Sequence, residues 1–238
     1  MNEQDRLDVL SRLPESLRPL AAHVPARRVQ LALDLVDRRL NGLTVMSEAI
    51  TRRHNMSAIL RSAEAFGLHD AHLITDTFNP SVGAAKGAER WLEITLHARA
   101  SECFAALRAQ GFRCYIADFT EDARSPDDVD VSTPLAVLFG SELMGVSEEA
   151  RAMADGVVMI PMRGLTQSLN VSAAASVILH RLSTRRALVP GAIGIYGEAR
   201  ERFLRRTLER EHDRRVAEQA WWGTDDEGQG DEGKADEA

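Results

Sequence analysis

MRGLTQSLNVSAAASVIL, residues 162–179, runs a polar cluster (Thr166, Gln167, Ser168, Asn170) straight into small apolar residues of helical length. Just before it, VVMIP (Val157–Pro161) is short, apolar and partly β-branched, and predicts a strand. Strand, polar turn and helix in that order place a ligand loop where open α/β sheets bind ligands, at the carboxyl end of a strand.

Outward from this junction the same alternation repeats. AHLIT (71–75), RCYIADF (113–119) and PLAVLFG (134–140) are short and largely continuous in apolar character, as strands buried on both faces of a parallel sheet are. Helical patterns separate them: 55–66, with Ile59, Ala63 and Phe66 on one face and Gly67 as the stop, then 101–111, then 147–156 opening on Ser147 and two acids. The spacing predicts a helix over 171–186, and a further Arg/Glu-rich helix over 197–222 after Pro190 and several glycines. The expected class is α/β with a mostly parallel sheet. Val29, Leu33, Val36 and Leu40 recur at helical spacing before Asn41-Gly42, so residues 1–42 read as an N-terminal helical extension. Residues 43–188 then form the main domain, 189–222 a C-terminal helical extension, and 223–238 an acidic tail too poor in apolar residues to pack, expected to be disordered.

With 238 residues, 44% hydrophobic and 27% charged, the chain can bury one substantial core. No apolar run reaches the roughly 18–20 residues that cross a bilayer. The opening MNEQDRLDVL lacks the apolar segment of a secretory signal, so a cytoplasmic location is expected. Cys103 and Cys114 have no CxxC or Cys/His ligand spacing, which points to small core residues and away from a zinc site or disulfide. The net charge of −7 is unevenly spread: Gly223 to Ala238 hold seven acids against Lys234, a net −6, so everything before them sums to −1. Arg181 to Arg215 is net +5 and Met1 to His54 net +2, so positive charge able to attract phosphate flanks the main domain.

Two other loops carry candidate chemistry. In PLAVLFGSELMGVS, Gly140 and Gly145 have phosphate-loop spacing, but Val146 stands where a phosphate-binding lysine is needed, which excludes a nucleoside triphosphatase. No GxGxxG follows a strand and no GxSxG is present, so neither a dinucleotide fold nor a serine hydrolase is indicated. What remains is a strand ending on a glycine, where backbone approaches a ligand closely, followed by Glu142. In RRHNMSAILRSAEAFG (52–67), Asn55 is expected to cap a helix from which Arg61 projects, under two turns further on and about 120° round the axis.

Taken together and in order, His54-Asn55 with Arg61, LFGSELMGVS (138–147) and IPMRGLTQSLNVSAAASVIL (160–179) resemble the three motifs of the SpoU/TrmH family of RNA ribose 2'-O-methyltransferases, over about Leu43 to Arg186. This resemblance implies the SPOUT fold with a deep C-terminal trefoil knot, a homodimer, S-adenosylmethionine as cofactor and no metal. The small residues Ala173, Ala174 and Ala175 suit close packing of that kind. It further implies cofactor contacts at Leu138, Phe139, Gly140, Ile160, Pro161, Met162, Ser168 and Leu169, largely through backbone groups. Arg61 is the residue the family assigns to deprotonating the 2'-hydroxyl. A guanidinium stays protonated, so Arg61 either passes a proton with help from a phosphate or remains charged and stabilises the alkoxide. The resemblance gives Asn55 the orienting of Arg61 or the ribose, Glu142 the holding of the arginine or nucleoside, and Ser168 and Asn170 the ribose and cofactor loop. Candidate RNA contacts are Arg52, Arg53, His54, Arg27, Arg28, Arg38, Arg39, Arg181, Arg185 and Arg186. Trp221 and Trp222 are expected to pack the last helix, with base stacking as the alternative. The TrmH branch implies tRNA, at guanosine 18 of the D-loop. Ribosomal RNA is the alternative substrate, and a non-catalytic RNA-binding protein on the same fold the alternative class.

Overall fold

The computed structural model describes residues 3–50, 52–77, 87–141, 143–166 and 168–222, with side chains as far as 217. The chain divides into two compact units, Asp37–Ile195 and the two terminal segments Met1–Val36 and Tyr196–Ala238 taken together.

The larger unit is a six-stranded sheet in the order β3-β2-β1-β5-β4-β6, with every pair parallel. Its strands are β1 (Leu43–Glu48), β2 (Asp70–Ile74), β3 (Glu93–His97), β4 (Arg113–Ala117), β5 (Leu135–Phe139) and β6 (Gly156–Val158). The alternation foresaw four of them and passed over β1 and β3. β1 is nonetheless central, and all but its last residue are buried. Its Thr44 and Ser47 interrupt an apolar run and so mask it. Inside the fold Thr44 Oγ1 donates to the Asp70 carbonyl at 3.2 Å and Ser47 Oγ to Met56 Sδ at 3.3 Å, so both hydroxyls are satisfied. β3 is an edge strand whose partly exposed residues carry a weak apolar signal.

Helices cover both faces. After the terminal helices α1 (Glu3–Ser11), α2 (Arg18–Ala21) and α3 (Ala26–Arg38) come α4 (Arg53–Ala65), α5 (Ala100–Ala109), α6 (Glu148–Met153), α7 (Val171–Arg186) and α8 (Gly197–Trp222). Strand alternation sorts the core: Leu135, Val137 and Phe139 join the cluster of Ile59, Leu60, Ala175, Ile178 and Leu182 from α4 and α7. Ala136 and Leu138 face the other way, into the cluster of Cys103, Phe104, Leu107 and Ala150 from α5 and α6. Both cysteines are free and buried, and burial pushes the Cys103 thiol up to about 12 and the Cys114 thiol up to about 11. No described helix is long and apolar enough to cross a membrane.

In the terminal unit, Leu17, Val29 and Leu33 are fully buried, as are Leu204 and Leu208 of α8. Ser16 Oγ donates to Glu201 at 2.6 Å, and Glu211 takes Arg214 at 3.1 Å and Arg28 at 3.5 Å. The tail 223–238 and the side chains of Trp221 and Trp222 lie outside what is described.

Two arginines expected at an RNA surface are structural. Arg39, 2% exposed, donates to the carbonyls of Leu68 at 2.9 Å, Trp91 at 3.0 Å and Glu64 at 3.1 Å. Arg186, 7% exposed, donates to the carbonyls of Val131 at 2.8 Å, Ser132 at 2.9 Å and Asn41 at 3.0 Å. The planar five-donor guanidinium suits this work, because each loop carbonyl it meets needs a donor once water is excluded. Gly42 passes so close that a Cβ there would stand 2.4 Å from Arg186 Nη2, and its φ of +77° independently favours glycine. Replacing Arg186 with Met orphans three carbonyls, so Arg186→Met lowers the unfolding free energy by about 2–4 kcal/mol in chemical denaturation. An arginine that only met RNA would change it by less than about 0.5 kcal/mol.

Candidate active site

A cleft of about 560 Å³ opens at the carboxyl ends of β4, β5 and β6 and is closed on one side by the segment leading into α7. Of the residues expected to hold a cofactor, Phe139, Gly140, Ile160, Met162, Ser168 and Leu169 line it. Pro161 does not, and Leu138 belongs to the opposite core because it is one residue out of phase with Phe139.

The floor of the cleft is set by Gly140. A Cβ there would sit 2.3 Å from the Gly145 carbonyl oxygen and 2.6 Å from the Val146 nitrogen, so only glycine leaves the following loop in place. That loop is closed by reciprocal bonds between Ser141 and Gly145, each 2.9 Å from nitrogen to oxygen, and Gly145 turns with φ +68°. Leu143 and Met144 in this loop are 87% and 85% exposed, and Glu142, expected to hold the arginine or nucleoside, lies outside the described residues.

Glu48 anchors the far side of this loop and was not foreseen. Standing at the end of β1, it accepts from the Ser147 nitrogen at 3.1 Å and hydroxyl at 2.8 Å, while Ser147 Oγ accepts from Ala150 N and caps α6. With β1 unread as a strand, nothing in the sequence marked its terminal carboxylate. The next residue, Ala49, has φ +52°, a left-handed conformation that costs a non-glycine residue about 1–2 kcal/mol. Asp118 was also missed. It lines the cleft at the end of β4 and is ion-paired with Arg151, its side chain 14% exposed.

Asn55 and Asn170 meet. Asn55 is at the third position of α4 and 2% exposed; the cap position belongs to Arg52, which forms no side-chain cap bond, so the expected capping role is corrected. Asn55 Oδ1 accepts from Asn170 Nδ2 at 3.3 Å. Asn170 is itself the cap of α7, its Oδ1 accepting from Ser172 N at 2.9 Å and Ala173 N at 3.4 Å. One side chain thus starts the helix behind the cleft and ties it to α4, which packs alongside through a 2.7 Å contact between the Ser62 and Ser176 hydroxyls.

Arg61 is elsewhere. It is exposed on α4, does not line the cleft, and makes no hydrogen bond or ion pair among the described residues. Arg52, Arg53 and His54 are exposed at the start of α4, and Arg52 borders the cleft. Arg27 and Arg38 are exposed as well. Arg185 instead donates to the carbonyls of Pro126 and Val129, both at 2.7 Å, and Arg181 pairs with Asp127 at 2.9 Å. Those two bonds direct Arg185 inward, a second correction to the basic set.

Comparison with known proteins places this geometry. Residues 42–180 match the profile of the SpoU rRNA Methylase family. The tRNA (guanosine(18)-2'-O)-methyltransferase of Thermus thermophilus is 43% identical over 166 residues, 68% of this chain and 84% of that protein. The Aquifex aeolicus TrmH/SpoU tRNA modifying enzyme superposes with a TM-score of 0.70 at 25% identity, covering 80% of this chain and 97% of that one. The SpoU methyltransferase AviRb of Streptomyces viridochromogenes, in complex with the cofactor AdoMet, superposes with a TM-score of 0.56 at 28% identity, covering 65% of this chain and 64% of its own.

The double duty of Asn170 is separable. Asn170→Ala removes the cap and lowers stability to urea by about 1–2 kcal/mol. Asn170→Asp keeps the accepting oxygen, adds a charge that suits a helix N-terminus, and stays within about 0.5 kcal/mol of the parent. Equal losses in the two variants would show that the contact to Asn55, not the cap, carries the stability.

Proposed function

The chain belongs to the SpoU rRNA Methylase family, and we propose that it transfers the methyl group of S-adenosylmethionine to a ribose 2'-hydroxyl of tRNA, at guanosine 18 of the D-loop. The relative that is 43% identical over 84% of its own length, named for that reaction, is the observation that carries this reading. A cytoplasmic site of action, alongside tRNA, goes with it.

The residues present fit the cofactor. The cleft is of the size that holds such ligands, and it offers apolar walls at Phe139, Ile160, Leu169 and Ile178 with polar groups at Ser168 and Asp118. Gly140 lines the cleft at the end of β5, where strand-end amides and carbonyls would read the ligand. When bound, S-adenosylmethionine supplies a methyl group activated by the adjacent sulfonium. Gly140, Ile160, Met162 and Leu169 would hold it, and Ser168 and Asn170 would orient the ribose hydroxyl toward it. Asn55 fixes Asn170 from behind, and the family resemblance gives Glu142 the holding of the arginine or nucleoside. Arg61 stays charged, clamps an RNA phosphate and stabilises the alkoxide as the hydroxyl proton leaves through that phosphate to water. Arg52, Arg53 and His54 steer the RNA to the cleft mouth. No step calls on a metal.

We read the segment from β6 into α7 as the closing part of a deep trefoil knot; the small residues Ala173 to Ala175 at the start of α7 support it. A second copy of the chain docks on the face made by α4 and α7. Val177 of α7 is 43% exposed, and Arg61 is exposed on α4 outside its own cleft. Docking there brings the Arg61 of each protomer to the cleft of the other.

Incubation with labelled S-adenosylmethionine puts label into a tRNA transcript, and placing 2'-deoxyguanosine at position 18 abolishes it. Label confined to ribosomal RNA, or to no RNA, would overturn the assignment. Arg61→Ala lowers kcat by about 10²–10³ with little change in KM for the cofactor. Mixing Arg61→Ala with the cleft variant Gly140→Val, each inactive alone, restores about a quarter of full activity if sites are shared across a two-fold dimer, and none if each chain is self-contained.

A further inference from the structure

On the far side of the sheet from α4 and α7, three donors from separate elements converge. His72 of β2, His97 of β3 and Cys103 of α5 bring one ligand atom each to within 4.8 Å of one another. His72 Nδ1 and His97 Nε2 are 3.0 Å apart, with the rings stacked at 5.3 Å. The register explains the meeting: His97 pairs with Ile74, two residues beyond His72, so both imidazoles project from one face of neighbouring parallel strands, beneath α5.

We propose that His72, His97 and Cys103 bind a borderline-soft divalent ion of the zinc type, with Asp70 orienting His72 from behind. Imidazole and thiolate are the donors such ions prefer, and tetrahedral bonds of about 2.0–2.3 Å set donors roughly 3.3–3.8 Å apart, within about 1 Å of the arrangement observed. The second observation lies on the other side of the His72 ring. Its Nε2 points at Asp70 Oδ2 from 3.6 Å, too far for a good bond, and both His72 Nε2 and Asp70 Oδ1 are buried without a hydrogen-bond partner. A histidine bound to metal through one nitrogen commonly donates the other N–H to a carboxylate, which fixes the tautomer and draws these orphaned atoms together. In metal-free protein the two imidazoles face each other across one shared proton; on loading, that proton moves to the far nitrogen of its own ring, so both imidazoles stay neutral, and the Cys103 thiol proton is released to buffer. Local spacing hid the site, because 72, 97 and 103 form no short motif. The ion would clamp β2, β3 and α5 together, away from the methyl-transfer cleft, so this inference stands apart from the proposed activity.

Full-length protein stripped with chelator and given Co²⁺ alone takes up about one ion per chain and develops a thiolate-to-cobalt charge-transfer absorption. One equivalent of Zn²⁺ removes the absorption and raises the unfolding temperature. Cys103→Ser abolishes the band, His97→Asn weakens binding at least tenfold by gel filtration and metal analysis, and Cys114→Ala leaves both readouts intact. His97 is at the sheet edge, so His97→Asn keeps the test open if Cys103→Ser fails to fold. Absence of the band with no metal retained would overturn the proposal, as would retention that neither the Cys103 nor the His97 variant reduces.

Discussion

All six strands run in one direction, and that single constraint places everything else. A parallel sheet delivers each carboxyl end to the same edge, so residues as distant as Glu48, Asp118, Gly140 and Ile160 assemble there. It also forces every connection back across a face, which is why helices cover both sides and why the strands are buried. β1 holds the arrangement together. It pairs with β2 on one side and β5 on the other, and its last carboxylate secures the loop after β5.

Much of this was legible beforehand where pattern and chemistry agreed. α7 spans the residues that periodicity predicts and α8 begins where it predicts, since Asn170 caps the one and glycine opens the other. Gly140 and Ser168 line the cleft, at a strand end and a polar turn that local pattern alone marks only weakly and the motif resemblance singles out. β1 was not, because burial of Thr44 and Ser47 depends on partners supplied by β2 and α4. Arginine is harder still to read. The same side chain serves as a surface charge at Arg53 and as an internal clamp at Arg186, and only the carbonyls it meets distinguish the two.

The site is not a list of side chains aimed at one point. Asn55 is buried and acts on Asn170, whereas Arg61, less than two turns along the same helix, faces solvent on α4. A helix can present two residues of one motif to different neighbours when they lie about 120° apart. That angle separates a buried partner of Asn170 from an exposed cation within one short helix.

The terminal unit bears on the order in which the protein is made. Ser16 is translated 185 residues before its partner Glu201, and Arg28 likewise long before Glu211. The opening segment therefore waits while the whole α/β unit is synthesised, with Leu17 and Val29 short of the neighbours that bury them. A chain that stops before α8 carries all six strands yet lacks the partners of Ser16 and Arg28.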